Sequence, residues 1–162
     1  MIKKRDNPDL GTVSHGTLLN NDLISAFSDK LKELNKINED EDSRKRHNAI
    51  IQDCIDILHK YSEDELNNPK DEYFAEDLST LINEDLFDAL NDFAPPYCYF
   101  GANEGDGSDF GFWPMEIQED RDNDLVIVKD SLPSNIAVVS DHGNITMYSI
   151  DDGQIFEEWS IV

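Results

Sequence analysis

The chain is poor in cysteine and contains no long apolar run. Its two cysteines, Cys54 and Cys98, stand in apolar contexts without the spacing of metal ligands, so we expect buried thiols in a reducing compartment. No apolar stretch approaches the ~18 residues of a membrane-spanning helix. The basic residues at the N-terminus are followed by no apolar segment, so the sequence predicts no signal peptide and a cytoplasmic protein.

Motifs of catalysis are also missing from the sequence. There is no G-x-S-x-G nucleophile elbow, no H-E-x-x-H zinc motif and no set of cysteine and histidine typical of a catalytic thiol. None of the four histidines is paired with another His, Cys or Glu at the spacing of metal ligands. We therefore predict a protein that is not an enzyme and that needs no cofactor.

Basic residues are scarce in the last two thirds of the chain. The 162 residues include 36 acids and 13 Lys or Arg, which gives a net charge of −23. Residues 1–61 hold 11 acids and 10 bases, whereas residues 62–162 hold 25 acids and 3 bases. Such a field repels nucleic acid, anionic membranes and phosphorylated substrates, and it attracts basic partners. The charge therefore predicts a basic protein as partner, with no direct binding to nucleic acid or membrane.

The first half of the sequence has the apolar periodicity of helices. Residues 17–35 and 43–61 each place apolar side chains at helical spacing. Residues 71–93 predict either two short helices or one kinked helix, with Asn83 as a candidate cap of the second. Residues 1–94 are therefore predicted as a helical part with about four helices.

The second half changes to the periodicity of strands. Residues 125–130 contain the continuous apolar run of a buried strand, and the residues after them predict a meander. Gly143 and Gly153 lie in its two turns, where glycine supplies the positive φ of a type I′ turn. Residues 95–162 thus predict an antiparallel sheet of about five strands. The whole chain, residues 1–162, predicts an α+β fold in a single domain.

Acidic residues recur on one face of the last predicted helix. Asp85, Asp88 and Asp92 stand at positions i, i+3 and i+7, so they share a helix face. They are spaced about 5 Å apart along the axis on average, and one DNA strand carries a charge every ~3.4 Å. A charged, solvated helix face is common, but residues 62–92 hold 11 acids against one base, Lys70. Because self-repulsion of this kind costs stability, the excess favours a partner-binding surface.

A second acidic segment is the glycine-rich stretch FGANEGDGSDFGFWP, residues 100–114. It lacks the Lys and Ser/Thr of a phosphate-binding loop, and Glu104, Asp106 and Asp109 would repel phosphate. It also lacks the spacing of a calcium-binding loop. If Asp106 is counted as the first position of such a loop, the third and fifth positions, which should carry ligands, are Ser108 and Phe110. We predict a hairpin loop between two strands. The aromatic residues beside it are predicted to be core of the sheet: Phe110, Phe112 and Trp113.

Three stretches carry a resemblance to a known family: HGTLLNNDLISAF, PPYCYFGANEGDGSDFGFWP, and SDHGNITMYSI with the final WSIV. Together they resemble a family of small, acidic, functionally uncharacterised proteins of phages, prophages and plasmids. The resemblance spans nearly the whole chain and implies a mobile-element origin and the cytoplasm of the host cell. It supplies no catalytic residues. By analogy with small acidic proteins of mobile elements that mimic DNA, it implies an inhibitor of restriction or CRISPR enzymes.

The sequence therefore predicts a non-enzymatic inhibitor whose acidic surface occupies the basic nucleic-acid groove of a host defence enzyme. One alternative is a metal-dependent hydrolase or metal-binding protein that uses the acidic loop, residues 103–109. A second alternative is an immunity protein that neutralises a basic toxin. The predicted partner contacts are six acids: Asp85, Asp88, Asp92, Glu104, Asp106 and Asp109.

Overall fold

The structure is a computed structural model that describes residues 3–5, 7–115, 117–120, 125–128, 135–140, 142–151 and 154–161. Within these residues the fold mixes helices with two sheets. The chain divides into two compact units. The helical unit comprises Thr12–Phe93 and Phe100–Gly111, and the sheet unit comprises Met1–Gly11, Ala94–Tyr99 and Phe112–Val162. The single-domain organisation stays a prediction.

The first three helices are α1 (Asn20–Leu34), α2 (Glu41–Lys60) and α3 (Glu63–Asn67). The first two confirm the helices expected from apolar periodicity, whereas the short α3 was not expected. Polar caps define the starts of α2 and α3 but not of α1. At the start of α2 the side chain of Asp40 accepts a hydrogen bond from Ser43 N at 2.8 Å. Ser62 and Glu65 form a reciprocal capping box at the start of α3. No helix in the described part of the chain is long and apolar enough to cross a membrane.

The region predicted as two short helices or one kinked helix is one uninterrupted helix. It consists of α4 (Glu72–Thr80), a π-helical segment (Leu81–Leu86) and α5 (Phe87–Asn91). The proposed cap at Asn83 is therefore wrong, because Asn83 lies inside the π-helical segment and its side chain donates to Ser79 O at 3.0 Å. A π-turn absorbs an extra residue without ending the helix. We call residues 72–91 the α4–α5 helix.

Four phenylalanines form the centre of the helical unit. Phe27 of α1 is fully buried, and its ring meets the rings of Phe87, Phe100 and Phe110 edge to face. The centroid distances from Phe27 are 5.8, 5.1 and 5.5 Å in that order. Phe87 lies on α5, while Phe100 and Phe110 lie on two strands. The cluster therefore fixes α1, the α4–α5 helix and the strands against one another within this unit.

The strands are β1 (Lys3–Lys4), β2 (Gly11–His15), β3 (Cys98–Asn103), β4 (Asp106–Pro114), β5 (Ile117–Asp120), β6 (Leu125–Val128), β7 (Asn135–Val139), β8 (Ile145–Asp151) and β9 (Gln154–Ile161). One sheet has the order β1-β9-β8-β7-β6-β5, and the other has the order β2-β4-β3. The predicted change from helices to strands along the chain is confirmed for the C-terminal part. The prediction of a single antiparallel sheet of about five strands in residues 95–162 is wrong, because this range contributes seven described strands, β3 to β9. There are two sheets, and β2 joins the second from before the first helix.

The first strand departs from the antiparallel pattern, because β1 pairs with β9 in parallel. Its residues are basic and too few for a strand periodicity, so the pairing rests on backbone hydrogen bonds and on local contacts. The guanidinium of Arg5 lies 3.9 Å from the ring centroid of Phe156. In the meander, Gly143 has a φ of +82°, as its turn requires. The other predicted turn glycine, Gly153, and residues 129–130 of the predicted strand lie outside the described residues.

The sheet unit has its own apolar core and one buried acid. Cys98, Ala137, Met147 and Trp159 are buried together, and the indole N–H of Trp159 donates to Pro96 O at 2.7 Å. The register of β8 and β9 shifts between Met147 and Tyr148, which leaves Glu158 as an extra residue of β9. Its carboxylate is buried and accepts hydrogen bonds from two residues, Asn7 and Ser149. The bulge thereby secures the N-terminal segment to this sheet.

We expect Phe27→Ala to lower the free energy of unfolding by about 3–5 kcal/mol, because it removes a fully buried ring that contacts three others. Urea denaturation followed by circular dichroism measures the change. Tyr73→Ala is the control, since Tyr73 is 80% exposed and should change stability by less than about 0.5 kcal/mol. Equal stabilities of the two variants would contradict the role of the cluster.

Both cysteines are free and buried, which agrees with the expectation of buried thiols. Burial raises the pKa of Cys54 to about 12, with the charges of Asp53 and Asp85 adding to the effect. Burial alone raises the pKa of Cys98 to about 12. The reactive thiolate is therefore almost absent near neutral pH.

From this we predict that neither thiol reacts with Ellman's reagent in the native protein at about pH 8, where an unperturbed cysteine is substantially ionised. In concentrated urea both thiols should react at the rate of a free peptide thiol. Rapid reaction of one thiol in the native state would show that its side chain is accessible. The variants Cys54→Ala and Cys98→Ala identify which one.

Candidate functional site

The structure places the six predicted contact acids on two different elements. Asp85 lies in the π-helical segment, Asp88 lies on α5, and Asp92 is the C-cap residue directly after α5. The other three, Glu104, Asp106 and Asp109, belong to the β3–β4 hairpin. The six acids therefore form two groups, which we describe in turn.

The three helix acids line one groove with α2. This groove, which we call the Asp88 groove, has a volume of about 540 Å³ and also contains Arg46 and Ile50 of α2. Asp85, Asp88 and Asp92 are all exposed, as expected for one polar helix face. The sequence predicted that these acids share a face. It did not predict that α2 forms the opposite wall of a groove.

A second groove continues between the same two helices. We call it the Asp77 groove; its volume is about 380 Å³, and it is lined by Asp53 and Asp56 of α2 and by Asp77 of α4, among others. On α2 the lining residues of the two grooves are 46, 50, 53, 56, 57 and 60. Apart from the adjacent pair 56 and 57 they are three or four positions apart, so they follow one side of the helix. The two grooves therefore lie along one interface between α2 and the α4–α5 helix.

Six carboxylates follow this interface, and we call them together the acidic seam: Asp53, Asp56, Asp77, Asp85, Asp88 and Asp92. The bases that line the same two grooves are Arg46 and Lys60. Sequence reasoning missed the first three acids because spacing along one helix does not show which faces of two helices meet. Asp53 and Asp56 belong to α2, and only the tertiary structure shows that they line a groove together with Asp77.

One acid of the seam, Asp92, is already paired within the protein. Its Oδ2 accepts hydrogen bonds from Arg46 at 2.5 Å and from His47 Nε2 at 2.9 Å. His47 is fully buried, whereas the side chain of Asp92 is 44% exposed. This acid therefore contributes to the fold as well as to the charge of the seam, which separates it from Asp85 and Asp88.

His47 connects Asp92 to the end of α1. Its Nδ1 lies 3.2 Å from Oδ1 of the buried Asn35. The amide of Asn35 is oriented by its own donations to Arg44 O and Asn48 Oδ1, at 3.1 and 2.9 Å. The amide nitrogen of Asn38 lies 3.5 Å from the same Nδ1, so both ring nitrogens of His47 have polar partners. His47 continues the apolar stripe of α2 four residues before Ile51, which is the sequence feature that could have revealed it.

Asn91 fixes the end of the groove that contains Asp92. Its amide N–H donates to Phe100 O at 3.1 Å, and its side-chain oxygen accepts from Phe100 N at 2.8 Å. The same amide donates to Phe87 O at 2.9 Å within the helix. The end of the α4–α5 helix is therefore tied to β3, so the acids before it are held on a fixed backbone.

The hairpin acids have separate local roles. The turn between β3 and β4 is confirmed as a hairpin, and it consists of Glu104 and Gly105, with Glu104 exposed. Asp106 accepts hydrogen bonds from Ser108 N and Oγ at 2.9 and 2.8 Å. These bonds, with a smaller effect from the charge of nearby His15, hold the pKa of Asp106 below its ordinary value. This geometry is that of an Asx turn, which shapes the start of β4.

Asp109 differs from the other hairpin acids because one of its oxygens is buried. Its Oδ1 has no hydrogen-bond partner among the described residues. In the same part of the chain, no group of three or more His, Cys, Asp or Glu is arranged to hold a metal ion. The alternative function, in which residues 103–109 bind a metal ion, would therefore depend on isolated carboxylates and not on a group of ligands. Of the neighbouring aromatics, Phe112 is fully buried, while Phe110 packs in the phenylalanine cluster.

The arrangement as a whole suits the binding of positively charged side chains of another protein. The acidic seam presents carboxylates of α2 and of the α4–α5 helix along two grooves. Comparison of the chain with protein-family models, with curated proteins and with solved structures found no match.

We predict that Asp92→Ala lowers the free energy of unfolding by about 1–3 kcal/mol, because it leaves a buried N–H of His47 without an acceptor. Asp92→Asn should cost less, since its carbonyl oxygen can still accept that hydrogen bond. Asp88→Ala is the matched control and should stay within about 0.5 kcal/mol of the wild type. Chemical denaturation of the four proteins gives the comparison. If Asp92→Ala matches Asp88→Ala, the bond from His47 adds nothing to stability.

Proposed function

We propose that this protein is a non-enzymatic acidic binding protein whose acidic seam occupies the basic nucleic-acid groove of another protein. The observation that supports it most directly is the set of six carboxylates that line the two grooves of α2 and the α4–α5 helix. The resemblance to small acidic proteins of mobile elements suggests a host defence enzyme of the restriction or CRISPR type as partner. In that setting the protein acts as an inhibitor, because its acids take the place of phosphates.

The spacing of the acids supports this proposal. Asp77 and Asp92 are 15 positions apart in the sequence, so they lie roughly 22 Å apart at the rise of a helix. A single DNA strand spans such a length with about six or seven phosphates. The α4–α5 helix, together with its C-cap residue Asp92, supplies four acids of the seam over this length, and α2 supplies Asp53 and Asp56. The charge density is of the same order as that of one DNA strand.

The rigidity of the seam also supports it. Association of charged surfaces costs less when the side chains and backbone are ordered beforehand. The α4–α5 helix is held by the phenylalanine cluster and by the bonds of Asn91 to Phe100, and the bond of His47 to Asp92 joins α2 to its end. The backbone that carries the acids is therefore arranged before a partner arrives.

The hairpin acids extend the proposal less strongly. Glu104 is exposed and has no defined local role, so it is the hairpin acid best suited to a partner contact. Asp106 shapes the turn, and Asp109 has one buried oxygen. An immunity protein that neutralises a basic toxin would use the same seam, so the nature of the partner separates these two functions.

The test uses charge reversal on one helix. We expect Asp85→Lys with Asp88→Lys to weaken binding to the partner by roughly tenfold or more, which corresponds to about 1.4 kcal/mol. The matched control is Glu76→Lys with Glu84→Lys, which makes the same change of net charge at exposed positions that line neither groove. The control should stay within about threefold of the wild type at moderate salt, because exposed charges are screened over ~10 Å.

The assay has two stages. Immobilised protein first captures its partner from a host lysate, and the purified partner is then bound to labelled DNA or RNA. Wild type and the control pair should displace the nucleic acid, and the Asp85/Asp88 pair should fail. A partner that binds no nucleic acid, or equal displacement by both variant pairs, would contradict mimicry. The protein by itself should give no shift of labelled DNA, because the net charge of −23 repels it.

A further inference from the structure

One end of the acidic seam carries an aromatic pair that the charge argument does not use. Tyr61 is the C-cap residue directly after α2, and Phe74 lies in the first turn of α4. Their ring centroids are 4.4 Å apart, and the ring planes are inclined by 35°. Both side chains are only half-buried. Part of each ring is therefore available to a ligand.

The aromatic pair stands between two cavities. On one side is the Asp77 groove, which both rings line. On the other side is a cavity of about 240 Å³, which we call the Asp64 cavity and which both rings also line. Its walls include Asp64, Glu65 and Asp71. Each ring thus contributes to two separate recesses.

Both recesses are acidic, and their acids are held in place. The Asp77 groove has three acids against Lys60, and the Asp64 cavity has three acids against Lys70. In the Asp64 cavity, Glu65 accepts two hydrogen bonds from Ser62, which hold the pKa of its carboxyl below the ordinary value. Asp71 caps α4 by accepting from Phe74 N at 2.9 Å. These carboxylates keep further lone pairs for an incoming donor.

The protein already places one of its own cations on this aromatic surface. Lys60 Nζ lies 4.9 Å from the ring centroid of Tyr61, within the range of a cation–π contact. The face of an aromatic ring beside carboxylates is a favourable site for a basic side chain. Arginine fits better than lysine, because its planar guanidinium stacks on rings and bonds carboxylates through two N–H groups.

We propose that the Tyr61–Phe74 pair anchors arginine side chains of a basic segment of the partner protein, with one recess for each of two side chains. The charge of each recess complements such a segment, and the aromatic surface adds a stacking contact that phosphate mimicry does not need. This inference rests on the proposed function, since it names where the seam holds basic side chains of that partner.

The test uses a labelled oligoarginine peptide and the full-length protein, so it does not require the partner. The peptide should bind saturably, shift the aromatic NMR resonances of Tyr61 and Phe74, and bind more tightly than an oligolysine peptide of equal length. Tyr61→Leu and Phe74→Leu should each lower its affinity about three- to fivefold, the value of an exposed cation–π contact.

Two variants serve as controls on the same elements. Tyr61→Phe keeps the ring and should stay within about twofold of the wild type. Tyr73→Leu removes an aromatic residue that is 80% exposed and lines neither recess, so it should have no effect. Thermal unfolding of each variant shows that the fold is retained. If Phe74→Leu does not fold, Tyr61→Leu against Tyr61→Phe still decides the question.

The outcomes distinguish this inference from the proposed function. If Tyr61→Leu and Phe74→Leu bind the peptide as the wild type does, the anchor is wrong, whether or not the Asp85/Asp88 pair displaces nucleic acid from the partner. If the aromatic variants weaken peptide binding but the Asp85/Asp88 pair displaces nucleic acid normally, the anchor stands and the mimicry is wrong. Spermidine that shifts the same resonances and competes at equal concentration would indicate a polyamine site and overturn the peptide proposal.

Discussion

The helical unit depends on the packing of the phenylalanine cluster around Phe27. This ring is fully buried and touches three other rings, one on α5 and two on strands β3 and β4. Aromatic pairs prefer edge-to-face geometry, so they constrain direction as well as distance. The position of the α4–α5 helix follows from this cluster. The acids of that helix line the seam with α2, which Arg46 and His47 join to the end of the same helix through Asp92.

Hydrogen bonds to buried polar side chains hold the elements together in addition to apolar packing. A buried imidazole needs partners on both nitrogens, and His47 has them in Asp92 and Asn35. The contact links the ends of α1 and α5 to α2 and uses one acid of the seam for the purpose. The same carboxylate thereby stabilises the fold and contributes negative charge at the surface. In the sheet unit the buried Glu158 has a similar role, because it accepts hydrogen bonds from the N-terminal segment and from β8.

In the proposed recognition, the acidic charge and the aromatic surface have different roles. Long-range attraction of a basic partner comes from an acidic field, and it acts mainly on the rate of association. Short-range contacts of aromatic rings with guanidinium groups act on the lifetime of the complex, since they form only after docking. The seam supplies the first, and the Tyr61–Phe74 pair at its end supplies the second. The two are close enough on α2 and α4 to engage one partner surface.

The sequence alone determined the helices α1 and α2, the change to strands after Pro96, the hairpin at Glu104 and the shared face of Asp85, Asp88 and Asp92. Each follows from local periodicity, turn chemistry or charge, which act over a few residues. Tertiary structure decided the features that join distant residues. The π-helical segment overrode the cap expected at Asn83, and the pairing of β1 with β9 joined residues more than 150 positions apart. The residues that line the seam from α2, and the partners of His47, likewise come from distant positions of the chain. Side-chain spacing along one helix shows which residues share a face, but only the packing of two helices shows which faces meet.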